Sequence, residues 1–183
     1  MRQFVGVILF GLILNLAVVA QGMALGIPQI QHLSKDDFLS SAFSGGEPGW
    51  KMLRLNRELK QRVQAILTHR YPASRIRYWH KDQRTAWIID EIGKEQPITI
   101  GVVVEHDRIV QLKILVYREE RGGEVHQEFF TRQFINAQRQ NDGISRHIDG
   151  ITGATLSVDA VTRVAALALM LHHSVHTQLA INP

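Results

Sequence analysis

Ile98-Thr99-Ile100-Gly101-Val102-Val103-Val104-Glu105-His106-Asp107-Arg108-Ile109-Val110-Gln111-Leu112-Lys113-Ile114-Leu115-Val116 decides the fold class. Ile98, Ile100, Val102 and Val104 alternate with Thr99, Gly101 and Glu105, as a half-buried strand requires. Val110, Leu112, Ile114 and Val116 repeat that period against Gln111 and Lys113. Glu105-His106-Asp107-Arg108 reads as the turn between them, so the stretch is an antiparallel hairpin. Upstream, residues 75–81 and 85–92 are rich in aromatic and β-branched residues and extend the sheet. Trp79 and Trp87 fall inside these runs and read as core.

Helices are expected on both sides of this β region. Residues 34–43 suggest a short helix with Ser34 as N-cap, broken by Gly45-Gly46-Glu47-Pro48-Gly49. From Leu53 to His69 the apolar residues Leu55, Leu59, Val63, Ile66 and Leu67 recur at helical spacing, with Tyr71-Pro72 as its stop. Arg54, Arg57, Lys60 and Arg62 lie off that stripe, as a solvated basic face or as a docking face for an acidic redox partner. Residues 129–137 read as a short helix with Phe130 and Phe134 on one side, and 138–145 as a polar loop. From Leu156 onward apolar residues surround the helix almost completely, which marks a buried one. The expectation is an α+β fold: one domain with a mainly antiparallel sheet packed by helices.

At 183 residues, with 45% hydrophobic and 21% charged residues, the chain can bury a proper core. It contains no cysteine, which removes disulfides, thiolate metal sites, attached c-type haem and cysteine-ligated iron–sulfur clusters. A net charge of +4, without aromatic-interleaved basic patches or zinc-finger spacing, does not suggest a nucleic-acid partner. Residues 1–24 have the layout of a signal peptide: Arg2, an apolar run from Phe4 to Ala20, then small residues offering cleavage after Ala20 or Ala24. Left uncleaved, the same segment would be a membrane anchor. Export to the periplasm or another extracytoplasmic space is the expectation. The chain then divides into residues 25–75, an N-terminal helical region, and a domain at 76–183.

Chemistry is concentrated in Ile148-Asp149-Gly150-Ile151-Thr152-Gly153-Ala154-Thr155-Leu156-Ser157, immediately before and into the buried helix. A helix start exposes unpaired N–H groups and partial positive charge, which suits a phosphate. Thr155 supplies a hydroxyl there, and Gly153 and Ala154 leave room for a large group. A second block, Arg118-Glu119-Glu120-Arg121-Gly122-Gly123-Glu124-Val125, places a tight Gly-Gly turn at a strand end. Its charged residues are either ordinary turn residues or a clamp for a polar ligand edge. His172, His173 and His176 include helical i, i+4 spacing, but no carboxylate or cysteine lies close by in sequence to complete a metal site. No nucleophile elbow, P-loop or dinucleotide fingerprint occurs. Asp90/Glu91 and Glu119/Glu120 are strand neighbours whose side chains should point apart, against an acid–base dyad.

Asp149-Gly150-Ile151-Thr152-Gly153-Ala154-Thr155 resembles the flavinylation motif of the FMN-binding domain family, which includes flavin subunits of the Rnf and Na⁺-pumping NADH:quinone oxidoreductase complexes. The Gly-Gly block followed by Gln133-Phe134 is similar to stand-alone periplasmic members, and the likeness covers most of residues 97–175. The resemblance implies that the 76–183 domain carries covalent FMN on Thr155 through a phosphoester. A separate Mg²⁺-dependent flavin transferase of the ApbE type would install it from FAD. Asp149, Gly150, Thr152, Gly153, Ala154, Leu156 and Ser157 would surround the attachment point, with Glu119, Arg121, Gly122, Gly123 and Glu124 as the second block. The implied function is electron transfer between a membrane-associated donor and an extracytoplasmic acceptor, with a membrane-bound or periplasmic redox protein as partner. Two alternatives stay open: a flavin-dependent reductase acting on a small substrate, and a flavin-free exported binding module in which the motif is only a helix cap.

Overall fold

A computed structural model describes residues 29–181; the expected signal peptide lies outside them. Among the described residues, six strands form one antiparallel sheet in the order β1-β6-β5-β4-β3-β2. The strands are β1 (Ile30–Gln31), β2 (Trp50–Arg54), β3 (Arg75–Lys81), β4 (Arg84–Ile92), β5 (Pro97–Glu105) and β6 (Arg108–Tyr117). The helices are α1 (Lys35–Ala42), α2 (Arg57–Leu67), α3 (Glu128–Thr131) and α4 (Thr155–Ile181), and a two-stranded ribbon joins β7 (Arg139–Gln140) to β8 (Gly143–Ile144). The α+β class expected from the alternating runs is what the chain adopts.

The sheet separates two apolar layers. On one face Trp87, Ile89, Ile98, Ile100, Val102 and Val104 pack under α2 and α4. On the other, Trp79, Ala86, Val103 and Leu115 pack under Phe38 and Leu39 of α1. Gly101 makes that second contact possible, because a Cβ there would come within 2.7 Å of the Phe38 ring. Trp79 and Trp87 are both core, one in each layer.

The β5–β6 hairpin closes through His106 and Asp107, both at positive φ (50° and 58°), a two-residue turn whose twist matches the strands. Its partner strand is less regular than the period-2 reading of Val110, Leu112, Ile114 and Val116. The register slips between Thr99 and Ile100 and again between Val103 and Val104. Leu115 and Val110 are the additional residues on β6. The bulges put Ile109, Leu112, Ile114 and Tyr117 in the α4 layer, and Val110, Leu115 and Val116 in the α1 layer.

The helix expected from Leu53 to His69 is shorter. Trp50–Arg54 is a strand paired with β3, and the helix begins only at Arg57. Asn56 caps it by accepting from the Leu59 amide at 2.8 Å. It ends at Thr68, in the left-handed conformation (φ 65°), before Tyr71-Pro72 is reached. The N-terminal region therefore contributes strands as well as helices to the sheet. The expected 129–137 helix is one α-helical turn followed by a 3₁₀ turn at Arg132–Phe134, with Phe130 and Phe134 in edge contact at 5.4 Å. The 138–145 polar loop contains the β7–β8 ribbon.

α4 is long and apolar enough to cross a membrane by length and composition. Its residues from Val158 to Val175 are instead mostly buried between α2 and the sheet.

Candidate functional site: the start of helix α4

Residues Ile151 to Ala154 form a tight turn. The Ala154 amide donates to the Ile151 carbonyl at 2.9 Å, with Gly153 at φ 80° in the third position, where a left-handed residue is required. Gly150 and Gly153 have no heavy atom within 4 Å of where a Cβ would sit, so this side of the turn is open. The turn delivers the chain into α4 with Thr155 as its first residue. The amides of Thr155, Leu156 and Ser157 have no carbonyl four residues back within the helix, and the helix dipole adds to their positive potential. Thr155 and Leu156 are exposed, Leu156 half so, whereas Ala154 and Ser157 are buried. The result is an exposed hydroxyl beside free N–H donors, at the start of a helix buried along most of its length.

The Gly-Gly block, some thirty residues upstream, is brought against this turn. Gly122 adopts φ 83°, and a Cβ on it would lie 3.0 Å from both the Ala154 Cβ and the Tyr117 hydroxyl. Tyr117, at the end of β6, donates to the Arg121 carbonyl and takes a hydrogen bond from the Ser157 hydroxyl at 2.9 Å. Burial pushes the Tyr117 phenol above its ordinary pKa, against the hydrogen bond from Ser157, so it keeps the proton it donates. One phenol thereby ties strand, glycine turn and helix start together. Gln133 adds a third tie by accepting from the Asp149 amide at 2.7 Å.

The other residues singled out from the sequence are placed as follows. Asp149, Thr152, Arg121 and Glu124 are exposed around the turn, and Gly123 opens the 3₁₀ turn Gly123–His126. His147 approaches Asp149 at 3.8 Å with both side chains in solvent, a contact worth little. Glu119 accepts from the amides of Lys94, Glu95 and Gln96 at 2.6–2.9 Å. Burial alone would raise its carboxyl pKa, but those three donors outweigh it and hold the group below the usual carboxylate value. Glu119 thus clamps the β4–β5 turn. Asp90 and Glu91 point to opposite faces, as expected: Asp90 is exposed and bonded to Thr99, whereas the Glu91 side chain is 1% exposed.

Sequence reasoning missed Tyr117 and underused Gln133. Tyr117 was detectable in principle, since it ends a strand one turn before a Gly-Gly pair. It also missed the ion pair of Glu91 with Arg163 of α4 (3.0 Å), joined by His69 (3.0 Å), which bolts α4 to β4. The C-terminal histidines belong to a separate cluster. Thr85 accepts from the Trp87 indole at 2.9 Å, and its hydroxyl shares a hydrogen bond with His172 Nδ1 at 2.8 Å. Burial, helped by His176, lowers the His172 pKa to about 4, so its 3.9 Å approach to Asp107 is not an ion pair at neutral pH. Among the described residues no three His, Asp or Glu side chains converge as a metal-ligand set. The cleft of about 270 Å³ lined by Phe43, Ser44, Lys81, Asp82, Arg84 and Glu105 lies at the opposite end of the sheet from Thr155.

The chain thus brings together a helix start, an exposed Thr155 and a glycine turn packed against Ala154. Residues 93–170 match the model of the FMN-binding domain family. The match runs from the β4–β5 turn through both blocks into α4, and omits β1, β2, β3, β4, α1 and α2. No curated protein matches the chain.

Proposed function

We propose that the protein is an exported electron carrier with FMN held covalently on Thr155. The observation that carries this reading is the exposed Thr155 hydroxyl among three unpaired first-turn amides, inside a segment of FMN-binding type. A phosphodiester retains one negative charge, which those N–H groups accept. No side-chain base approaches Thr155 among the described hydrogen bonds, consistent with attachment by a separate flavin transferase of the ApbE type. In that reaction the Thr155 oxygen forms the new bond to the FMN phosphorus of FAD. The bond to the AMP phosphate breaks, AMP leaves, and the hydroxyl proton is released.

FMN accepts one or two electrons and so links two-electron donors to one-electron carriers. This chain's own residues contribute position. The Tyr117–Ser157 and Gln133–Asp149 hydrogen bonds fix the turn, and Leu156 offers an apolar surface beside the attachment point. Export is supported by the Arg2 and Phe4–Ala20 pattern, and covalent attachment fits it, because a dissociated flavin would be lost by dilution. The redox partner is then a membrane-bound or periplasmic protein. The test is co-expression with a flavin transferase followed by ultraviolet illumination of the denatured protein on a gel. Wild-type chain fluoresces and Thr155→Ala does not. A dark wild-type band under conditions that label a known substrate of the transferase rejects the reading.

A further inference from the structure

The basic residues of this chain are not spread evenly. Residues 50–81, which build β2, α2 and β3, contain nine lysines and arginines and one acidic residue, Glu58. The remainder carries twelve basic and sixteen acidic residues, a net −4. The net +4 of the whole therefore hides a +8 unit at one edge of the sheet.

At that edge, β2 has no outer neighbour among the described strands. Register places Met52 beside Arg77 and Arg54 beside Arg75, and alternation puts Trp50, Met52, Arg54, Arg75 and Arg77 on one face. Lys51 lies on the same strand, while Arg57 and Lys60 extend the charge along α2. All of these cations are exposed, and among the described residues none is within ion-pair distance of a carboxylate. Between them, Trp50 is 56% and Met52 45% exposed, and the Arg77 guanidinium sits 4.9 Å over the Trp50 ring.

Protection of an exposed edge accounts for lysine and arginine on β2. It does not account for uncovered tryptophan and methionine on the same strand, nor for Arg54 directly opposite Arg75, a like-charge pair that costs stability. Long unpaired cations around an exposed tryptophan match an interfacial membrane surface. The family match at 93–170 does not include this unit.

We infer that the β2–α2–β3 edge is a docking surface for anionic phospholipid headgroups. Trp50 and Met52 enter the headgroup layer, and Lys51, Arg54, Arg75 and Arg77 meet lipid phosphates. Three strands separate β2 from β6, the strand that holds the start of α4, so Thr155 stays uncovered when this edge is occupied. The charges do not form a shaped pocket with fixed donors, which favours a diffuse lipid surface over an acidic protein.

The test is flotation of the full chain, without flavin, on phosphatidylcholine vesicles with and without one-third phosphatidylglycerol. Any apolar contribution from the N-terminal segment acts on both vesicle types, so the readout is the excess affinity for the anionic ones. Neutralising Lys51, Arg54, Arg75 and Arg77 to Gln lowers that excess by roughly several hundred-fold, since each near-surface cation contributes about a factor of five. Neutralising Lys94, Arg108, Arg132 and Arg139 to Gln leaves most of it. Glu58→Lys, a surface change, raises it several-fold. Equal wild-type binding to both vesicle types, or equal losses in the two quadruple variants, overturns the inference. So does cross-linking of this edge to an acidic protein by a wild type that shows no anionic-lipid preference. The measurement uses unflavinylated chain, so its failure leaves the flavin reading untouched.

Discussion

Replacing Gly122 by alanine tests how the two blocks of the site are joined. At φ 83° an alanine pays the left-handed penalty of about 1–2 kcal/mol. Its Cβ also meets the Ala154 Cβ and Tyr117 hydroxyl at 3.0 Å and the Ala154 Cα at 3.3 Å. Two of those three atoms cannot rotate away, because Ala154 is held by its turn hydrogen bond and by the start of α4. Overpacking of this kind adds on the order of 1–3 kcal/mol. A total loss of about 2–4 kcal/mol is expected, read as a fall of roughly 1–2 M in the urea midpoint. Because the helix start must shift to make room, flavin incorporation by the transferase should slow as well. Gly123 is the internal control: it has no positive φ, and its Cβ would touch only the Tyr117 ring at 3.7 Å. Gly123→Ala should cost under about 1 kcal/mol. If the two alanine variants unfold at the same urea concentration, Gly122 does not join the blocks as described.

Three further perturbations probe how α4 is held. His172 is 2% exposed with a pKa near 4, against about 6.5 unfolded, so the unfolded chain binds its proton more readily. Its contribution is complete above pH 6.5 and is lost as pH falls toward 4, up to about 3 kcal/mol; a urea midpoint unchanged between pH 7 and 4.5, or an equal slope in His172→Gln, contradicts this. Thr85→Val strands the buried Trp87 indole N–H and His172 Nδ1 together, for a loss of about 2–3 kcal/mol by thermal or urea unfolding. Arg163→Met should cost more than Glu91→Gln, about 3 kcal/mol against 1–2. The first leaves a buried carboxylate with only His69, whereas the Arg163 side chain, 26% exposed, can turn to solvent when Glu91 loses its charge. The reverse order in unfolding free energy refutes that asymmetry.

Much of the fold was legible because local patterns and tertiary packing agree there. The alternation of residues 98–104, the Ser34 cap and the turn at His106-Asp107 each point to the element the chain forms. Where reading failed, two signals overlapped or a contact was non-local. Leu53 and Leu55 continue the apolar spacing of α2, yet pairing with Ile76 and its neighbours draws Trp50–Arg54 into the sheet. Asn56, a strong capping residue, marked the true start of the helix. The bulges at Val110 and Leu115 answer to α1 on the far face, which strand periodicity does not carry. In the site, Thr155 and its turn were legible from small residues before an apolar helix. The packing of Gly122 on Ala154, the Tyr117–Ser157 tie and the turn of Glu119 toward residues 94–96 depend on the ends of β6 and α4 meeting. No spacing within the sequence encodes that meeting.

Tandem mass spectrometry of the peptide spanning Asp149 to Arg163, from protein co-produced with a flavin transferase, locates the cofactor to a single residue. One FMN, linked through its phosphate, is expected on the Thr155 fragment ions. An unmodified peptide, or a flavin on Thr152 or Ser157, contradicts attachment at Thr155.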